Sequence, residues 1–220
     1  MIIGTGWCAH KDGRANNRGT SKKCYRNDFL VNTWKSSIEK TVIPAGYFVY
    51  SSNCAMPTLL DSNMQSIMNL CPVEKQLHCH DSQGSRVMGA QFALINGCNF
   101  LYVEQDCLVY GLDKILEFAK DKKIVYGYDE WSWQIGWAED SLLYISKDYL
   151  CKYITLSNEN KLVDNISTTP EIDFQRVFSA DADYWPFGFG RKRPIDFTQK
   201  CFYAQQLNDE ELDLFLELIR

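Results

Sequence analysis

Apolar and polar positions follow two different periods along the chain. Short apolar runs rich in β-branched and aromatic residues predict strands at 2–3, 46–51, 100–103, 124–126 and 141–146, and the mixed run 76–80 is interpreted as another strand. Apolar residues recurring three or four positions apart predict helices over 27–40, 85–96, 112–120, 147–154, 169–178 and 209–220. Polar or turn-forming stretches predict loops at 10–27, 81–84 and 155–168, and a connection with a short helix at 56–70. Repeated strand–helix–strand order predicts an α/β domain with a mostly parallel central sheet flanked by helices.

Two of the predicted helices have sequence signals for their first residues. Asn27 or Asp28 is a suitable N-cap for the first helix, because its side chain can accept from free backbone N–H groups. Thr169 is a suitable N-cap for 169–178, where Pro170 stands at the first helical position and needs no N–H partner. The buried face of the first helix is predicted to consist of Phe29 or Leu30, Trp34 and Ile38.

The triplet Glu104-Gln105-Asp106 directly follows the apolar run at 100–103. Two carboxylates at a strand end can be presented together to a hard divalent cation. In open α/β sheets, ligands bind at the carboxyl edge, where this triplet is expected to lie. Asp181 and Asp183 form a second acidic-x-acidic triplet, but no strand precedes it and a loop is predicted there.

Composition and charge narrow the class of protein. With 220 residues, 45% of them hydrophobic and 23% charged, the chain fits one soluble globular domain. The formal net charge of -5 argues against a general nucleic-acid binder, because no excess of Lys and Arg exists to neutralise a phosphate backbone. Lys and Arg side chains that bind phosphate must therefore be clustered at a particular place in the protein.

The first residues and the cysteines indicate the compartment. The segment 1–8 lacks a basic stretch followed by a long apolar core, and no apolar run approaches the roughly 18 residues that span a bilayer. Nine cysteines, an odd number scattered through a chain of this size, indicate reduced thiols. We therefore expect a cytoplasmic protein, soluble or peripheral to a membrane.

Two further motifs fit common sites poorly. Gly4-x-Gly6 lacks the third glycine of a dinucleotide-binding fingerprint at the required spacing. The run His78-Cys79-His80, with Cys71 nearby, matches no common zinc spacing. In the strand predicted at 76–80, Cys79 would also face away from both histidines. Core packing is the preferred interpretation for Cys79.

The stretch from His80 to Arg86 and on through Glu104-Gln105-Asp106 resembles the segment leading to the Asp-x-Asp motif of GT-A fold nucleotide-sugar-dependent glycosyltransferases, and it is family 2-like. The resemblance covers about 46–126 and departs in having Glu104 where Asp is usual. It implies a single GT-A-like domain over 1–220. Within it, 1–126 would bind the nucleotide sugar, and 127–220 would bind the acceptor and carry a basic C-terminal loop and a capping helix.

The resemblance also assigns roles on the donor side. Asp106 would ligate Mn²⁺ or Mg²⁺ directly, and Glu104 would contact the ribose or a metal-bound water as part of the same metal site. Arg86, at the start of the preceding predicted helix, would approach the nucleotide or its phosphates; otherwise it is an exposed first-turn residue. The nucleotide base would lie at the end of the first strand, on Thr5, Gly6 and Trp7.

The acceptor side offers several candidates for a general base. In inverting members of the resembled class, an acidic residue near the start of a helix such as 169–178 deprotonates the acceptor hydroxyl, which implies Asp173 or Glu171. A carboxylate there also favours the helix dipole for structural reasons. The rival bases are Asp129, Glu130 and Asp140.

Aromatic residues concentrate in 126–137, a stretch with glycines and no clean helical period. Flat rings in a loop can contact the C–H face of a sugar, so this stretch is a candidate acceptor pocket. The alternative is core packing of its three tryptophans, Trp131, Trp133 and Trp137.

The segment 185–194 joins basic residues to glycines and aromatics. Arg191 and Arg193 could each bind phosphate oxygens in a bidentate manner, and glycines allow the backbone to approach closely. By resemblance this would be the loop that closes over the diphosphate; a solvated basic turn is the alternative.

The sequence therefore predicts a metal-dependent enzyme that moves a sugar from a nucleoside diphosphate sugar to a carbohydrate or other hydroxyl acceptor, with no nucleic-acid partner. One alternative is a sugar nucleotidyltransferase of related fold. That class normally has a Gly-rich loop with Arg and Lys directly after the first strand, whereas here Arg14, Arg18 and Lys22 follow only at a distance. The other alternative is an inactive carbohydrate- or nucleotide-binding module.

Overall fold

A computed structural model describes residues 1–7, 20–25, 29–52, 64–69, 78–129, 137–160, 162 and 170–220. The strands in this part are β1 (Ile2–Trp7), β2 (Gly46–Ser52), β3 (Met64–Asn69), β4 (Phe100–Val103), β5 (Cys107–Tyr110), β6 (Ile124–Asp129), β7 (Trp137–Ile145), β8 (Ala182–Tyr184) and β9 (Phe202–Gln205). The α-helices are α1 (Ser36–Glu39), α2 (His78–Ile95), α3 (Leu112–Ala119), α4 (Leu150–Glu159), α5 (Pro170–Phe178) and α6 (Asp209–Ile219).

Seven strands form the central sheet in the order β3-β2-β1-β4-β7-β6-β8. Strands β3, β2, β1 and β4 are mutually parallel, β7 is antiparallel to both of its neighbours, and β8 is parallel to β6. The sheet is therefore parallel except for β7, which confirms the predicted fold class. Because β7 begins at the edge where β4 ends, residues at the start of β7 lie beside the acidic triplet.

Helices cover both faces of this sheet, and each face has its own hydrophobic core. One core includes side chains from α1, α3 and α6, and the other includes side chains from α2, α4 and α5. Alternate residues of a strand serve opposite cores, as Ile2 and Ile3 of β1 do. This two-sided burial explains why the central strands appear in the sequence as continuous apolar runs.

The first predicted helix begins as a wide π-helical segment, Leu30–Lys35, and continues as α1. Phe29, Trp34 and Ile38 are all buried, so its predicted buried face is confirmed. The proposed N-caps Asn27 and Asp28 lie outside the described residues, as does Thr169 before α5. The C-terminal helix α6 is confirmed, and Asn208 and Glu211 form a capping box at its start.

The prediction at 76–84 is wrong where the structure describes it. Residues 78–84 are the first turns of α2, not a strand followed by a turn. The run 76–80 mixes apolar and polar residues and is too short for its pattern to distinguish a strand from a helix. The argument that Cys79 faces away from His78 and His80 depended on the strand and therefore fails.

Three other local predictions need correction. Within 56–70, residues 64–69 form strand β3 beside β2, where a short helix was expected. Helix α4 continues to Glu159, into the predicted loop 155–168. The second acidic triplet is not simply a loop: its Ala182 and Asp183 lie in β8, and Asp181 accepts from Lys152 at 2.5 Å and from Tyr149 at 2.9 Å.

A small second sheet was not predicted. It pairs β5 with β9 in antiparallel register, with Cys107 opposite Gln205. Strand β5 begins one residue after the acidic triplet, so this pairing brings a segment almost 100 positions further along the chain to the same edge.

None of the described helices is both long and apolar enough to cross a bilayer. In the same part of the chain, five cysteines are free thiols, as expected from the reduced state: Cys24, Cys98, Cys107, Cys151 and Cys201.

Candidate active site

Glu104 and Asp106 lie at the carboxyl end of β4, the position predicted for them. The backbone N–H of Glu104 donates to the carbonyl of Ser141 on β7 at 2.8 Å, and its carbonyl accepts from the N–H of Cys107 at 2.9 Å. Backbone bonds to β7 and across a tight turn therefore fix the triplet. Asp106 is 5% exposed, so its carboxylate is held in a largely dehydrated place.

Gln205, the last residue of β9, connects the two carboxylates. Its side-chain Nε2 donates to Glu104 Oε2 and lies 3.4 Å from Asp106 Oδ1. One amide nitrogen therefore contacts an oxygen of each residue, and the two carboxylates converge. Sequence reasoning missed Gln205, although the run Phe202-Tyr203-Ala204 before it has the composition of a short strand.

The pair carries unfavourable charge. Burial and the nearby charge of Asp106 raise the pKa of Glu104 to about 8, although Arg86 and Arg191 act in the opposite direction. The ionised pair therefore needs positive charge, and the arrangement favours any cation that reaches it.

Arg191 supplies one such charge from the predicted basic loop. Its Nε donates to Gln205 Oε1 at 3.2 Å. Burial works against the charged form, but the carboxylates of Glu104 and Glu139 outweigh it, and the pKa of Arg191 is raised. Arg191 is thus charged and close to the acidic triplet.

Arg193 faces a different set of partners. Its Nε lies 2.5 Å from Glu211 Oε1, and its Nη2 donates to the carbonyls of Gln205 at 2.9 Å and Gln206 at 3.1 Å. These contacts attach the basic loop to α6 and to the end of β9. Arg191 is the arginine that the fold places beside the carboxylates, and phosphate binding by either residue stays a prediction.

The basic loop packs closely against its surroundings. The carbonyl of Gly190 accepts from the N–H of Gln205 at 2.7 Å. Gly190 has a φ of +48°, and a Cβ there would lie 3.0 Å from Glu139 Cδ; at Gly188, with φ +128°, a Cβ would collide with the Tyr203 ring. Only glycine suits both the backbone conformation and the available space at these two positions. The basic loop therefore packs against β9 in one defined position.

Arg86 is buried in the first half of α2, at 2% exposure, rather than exposed in a first turn. Its Nη1 donates to Asp140 Oδ2, and its guanidinium carbon lies 4.9 Å from the centre of the Tyr102 ring. Asp140, a rival base in the sequence, is itself the counter-ion of Arg86. The expected approach of Arg86 to a nucleotide stays a prediction.

Glu171 and Asp173, the two candidate bases, lie in the first turn of α5. Burial and the charge of Asp140 raise the pKa of Glu171, whereas the charges of Arg191 and Arg86 act in the opposite direction. Asp173 instead pairs with Arg176 at 3.2 Å along the helix. Of the two, Glu171 is the residue whose pKa is influenced by charged groups beside the acidic triplet. A catalytic role for either residue stays a prediction.

The other predicted contacts divide by location. Thr5 and Trp7 are buried at the end of β1, and the Thr5 hydroxyl donates to the Gly6 carbonyl at 3.2 Å. Base binding there stays a prediction. In the aromatic stretch, residues 126–129 belong to β6 and Trp137 begins β7, so these parts are not loop. Residues 130–136, including Glu130, Trp131 and Trp133, lie outside the described part, as does the Asp129 side chain.

The donor set fits a hard divalent cation that receives further ligands from phosphate and water. No group of three or more His, Cys, Asp or Glu side chains is arranged for a metal in the described part of the chain. Mg²⁺ is commonly held by one or two carboxylates together with substrate phosphates, and Glu104 and Asp106 converge as such a pair. Burial and the charge of Asp106 raise the pKa of Glu104, and a bound cation would act in the opposite direction.

Comparison by sequence finds no relatives: no protein-family model matches the chain, and no curated protein matches it significantly. Comparison of structures does find similar folds. The galactosyltransferase LgtC, in complex with donor and acceptor sugar analogues, matches with a TM-score of 0.57 at 11% identity, over 100% of this chain and 95% of that one.

Two other solved structures show the range of similar folds. The glycosyltransferase GlyE of Streptococcus pneumoniae TIGR4 matches with a TM-score of 0.57 at 10% identity, over 99% of this chain and 60% of that one. A putative glucose-1-phosphate thymidylyltransferase from Bacillus anthracis matches with a TM-score of 0.52 at 8% identity, over 100% of this chain and 94% of that one. At these identities the likeness concerns the fold, and the GT-A fold expected from the sequence is confirmed.

Proposed function

We propose that this protein is a metal-assisted glycosyltransferase that moves a sugar from a nucleoside diphosphate sugar to a hydroxyl acceptor. The observation that carries the proposal is the convergence of Glu104 and Asp106 beside the charged Arg191, at the carboxyl edge of a GT-A sheet. The 1–126 part would bind the donor, and the 127–220 part would bind the acceptor.

On the donor side, the chemistry requires stabilisation of a leaving diphosphate. Asp106 and Glu104 would hold Mn²⁺ or Mg²⁺, which when bound supplies Lewis-acid stabilisation of the developing phosphate charge. Arg191 would bind diphosphate oxygens from the other side through its guanidinium. Burial of Asp106 and partial burial of Arg191 strengthen such interactions, because water screens them less than it would at an exposed site.

The proposal is tested by screening nucleoside diphosphate sugars for hydrolysis or transfer, and by calorimetric titration of nucleoside diphosphates with and without Mn²⁺. We expect turnover of at least one sugar nucleotide and tighter diphosphate binding with Mn²⁺. Metal-independent binding would contradict the metal-assisted model. Formation of sugar nucleotides from sugar phosphates and nucleoside triphosphates would instead favour a nucleotidyltransferase, and binding without turnover would favour an inactive module.

On the acceptor side, we propose Glu171 as the general base. Glu171 is half-buried, and a carboxylate with a raised pKa is better matched to proton transfer near neutral pH than one with the ordinary value. Glu171→Gln should lower kcat by at least about 10²-fold, because the amide cannot accept the hydroxyl proton. Steady-state kinetics would measure this effect.

The matched control for Glu171 is Asp173→Asn, two positions along the same helix, where Asp173 pairs with Arg176. We expect it to change kcat by less than about threefold, because the substitution removes an ion pair within the helix whose Arg176 partner is exposed to solvent. A larger loss in Asp173→Asn than in Glu171→Gln would transfer the role to Asp173.

A further inference from the structure

Gln205 contacts both acidic residues and the arginine of the site with one side chain. Its Nε2 donates to Glu104 and Asp106, and its Oε1 accepts from Arg191. The amide orientation is fixed by chemistry, since a carboxylate can only accept and a guanidinium can only donate. Gln205 is 2% exposed, so water does not compete freely for these bonds.

The backbone around Gln205 is equally constrained. Its N–H donates to the Gly190 carbonyl at 2.7 Å, and the N–H of the next residue, Gln206, donates to the Asp106 carbonyl at 3.1 Å. The Gln205 side chain therefore starts from a fixed point between the acidic triplet and the basic loop. Its contacts fix the position of the acidic triplet relative to the basic loop.

We propose that Gln205 is the positioning residue of this site, which holds the metal-ligating carboxylates convergent and orients Arg191 towards the diphosphate. This inference rests on the proposed function. The amide contacts one oxygen of Glu104 and one of Asp106, so its position determines where the two carboxylates lie relative to each other. Hydrogen bonds to ligating carboxylates orient them, and losing such a bond typically lowers metal affinity 10- to 100-fold.

The test is Gln205→Met, because methionine keeps the length and approximate volume of glutamine but neither donates to the carboxylates nor accepts strongly from Arg191. Calorimetric titration with Mn²⁺ alone should show that the variant binds Mn²⁺ about 10- to 100-fold more weakly than the wild type does. Urea unfolding would establish that the variant is folded. If it is not, Gln205→Asn, which keeps the amide but is one methylene too short to span the contacts, should show the same direction of change.

Gln91→Met is the matched control, because Gln91 lies in the second half of α2, away from the carboxyl edge. It should bind Mn²⁺ as the wild type does. Wild-type affinity in Gln205→Met would show that the side chain only fills space and would overturn the inference alone. A wild type that binds no Mn²⁺ would overturn the metal-assisted function and this inference together.

Discussion

Asp106→Asn is expected to lower kcat/KM for the sugar nucleotide about 10³-fold, equivalent to about 4 kcal/mol of transition-state stabilisation. Asparagine keeps the shape of aspartate, and its carbonyl oxygen can still accept from Gln205, but it brings no charge to a cation. Mn²⁺-dependent diphosphate binding should be lost with activity. Steady-state kinetics and calorimetry measure the two effects separately.

The fold should survive this substitution. Burial is the largest cause of the raised pKa of Glu104 and the charge of Asp106 is the second, so removing that charge relieves repulsion in the pair. The free energy of unfolding should therefore stay within about 1 kcal/mol of the wild type. Asp181→Asn, from the second acidic triplet, is the control, because Asp181 pairs with Lys152 and Lys123 away from the acidic edge. Full activity in Asp106→Asn would refute the assigned role.

The sequence was sufficient to locate the acidic triplet because its signals are local. An apolar run followed directly by two carboxylates predicts both the strand and its end, and β4 has the predicted bounds. The helical face of Trp34 and Ile38 was predictable for the same reason, since its period lies within one segment.

The remainder of the site depends on pairing between distant segments. Gln205 reaches the triplet only because β9 pairs with β5, and nothing near residue 205 identifies that partner. Asp140 reaches Arg86 only because β7 runs antiparallel to β4, and the sequence pattern predicted a mostly parallel sheet without indicating which strand is antiparallel. Strand β3 and the start of α2 were assigned wrongly because short segments of mixed polarity fit either structure.

The Arg86–Asp140 pair gives the second large expected effect, on stability. Both side chains are buried, and Asp140→Asn would leave the Arg86 guanidinium without its counter-ion beneath the site. Removing one partner of a buried ion pair typically costs about 3–5 kcal/mol, because the remaining charge is uncompensated. Urea unfolding should show a loss of this size. Asp183→Asn, which breaks the partly exposed pair with Lys122 at 2.9 Å, should cost less than about 1 kcal/mol.

Replacing Arg86 and replacing Asp140 should not cost the same free energy of unfolding. Arg86→Met leaves a carboxyl group that can become neutral by taking up a proton, whereas a guanidinium cannot lose its proton in a protein. Arg86→Met should therefore cost less than Asp140→Asn. The double variant Arg86→Met/Asp140→Leu should recover much of the loss, because apolar side chains of similar volume avoid both desolvated charges. Equal losses in all three variants would show that packing, rather than charge, makes this pair important.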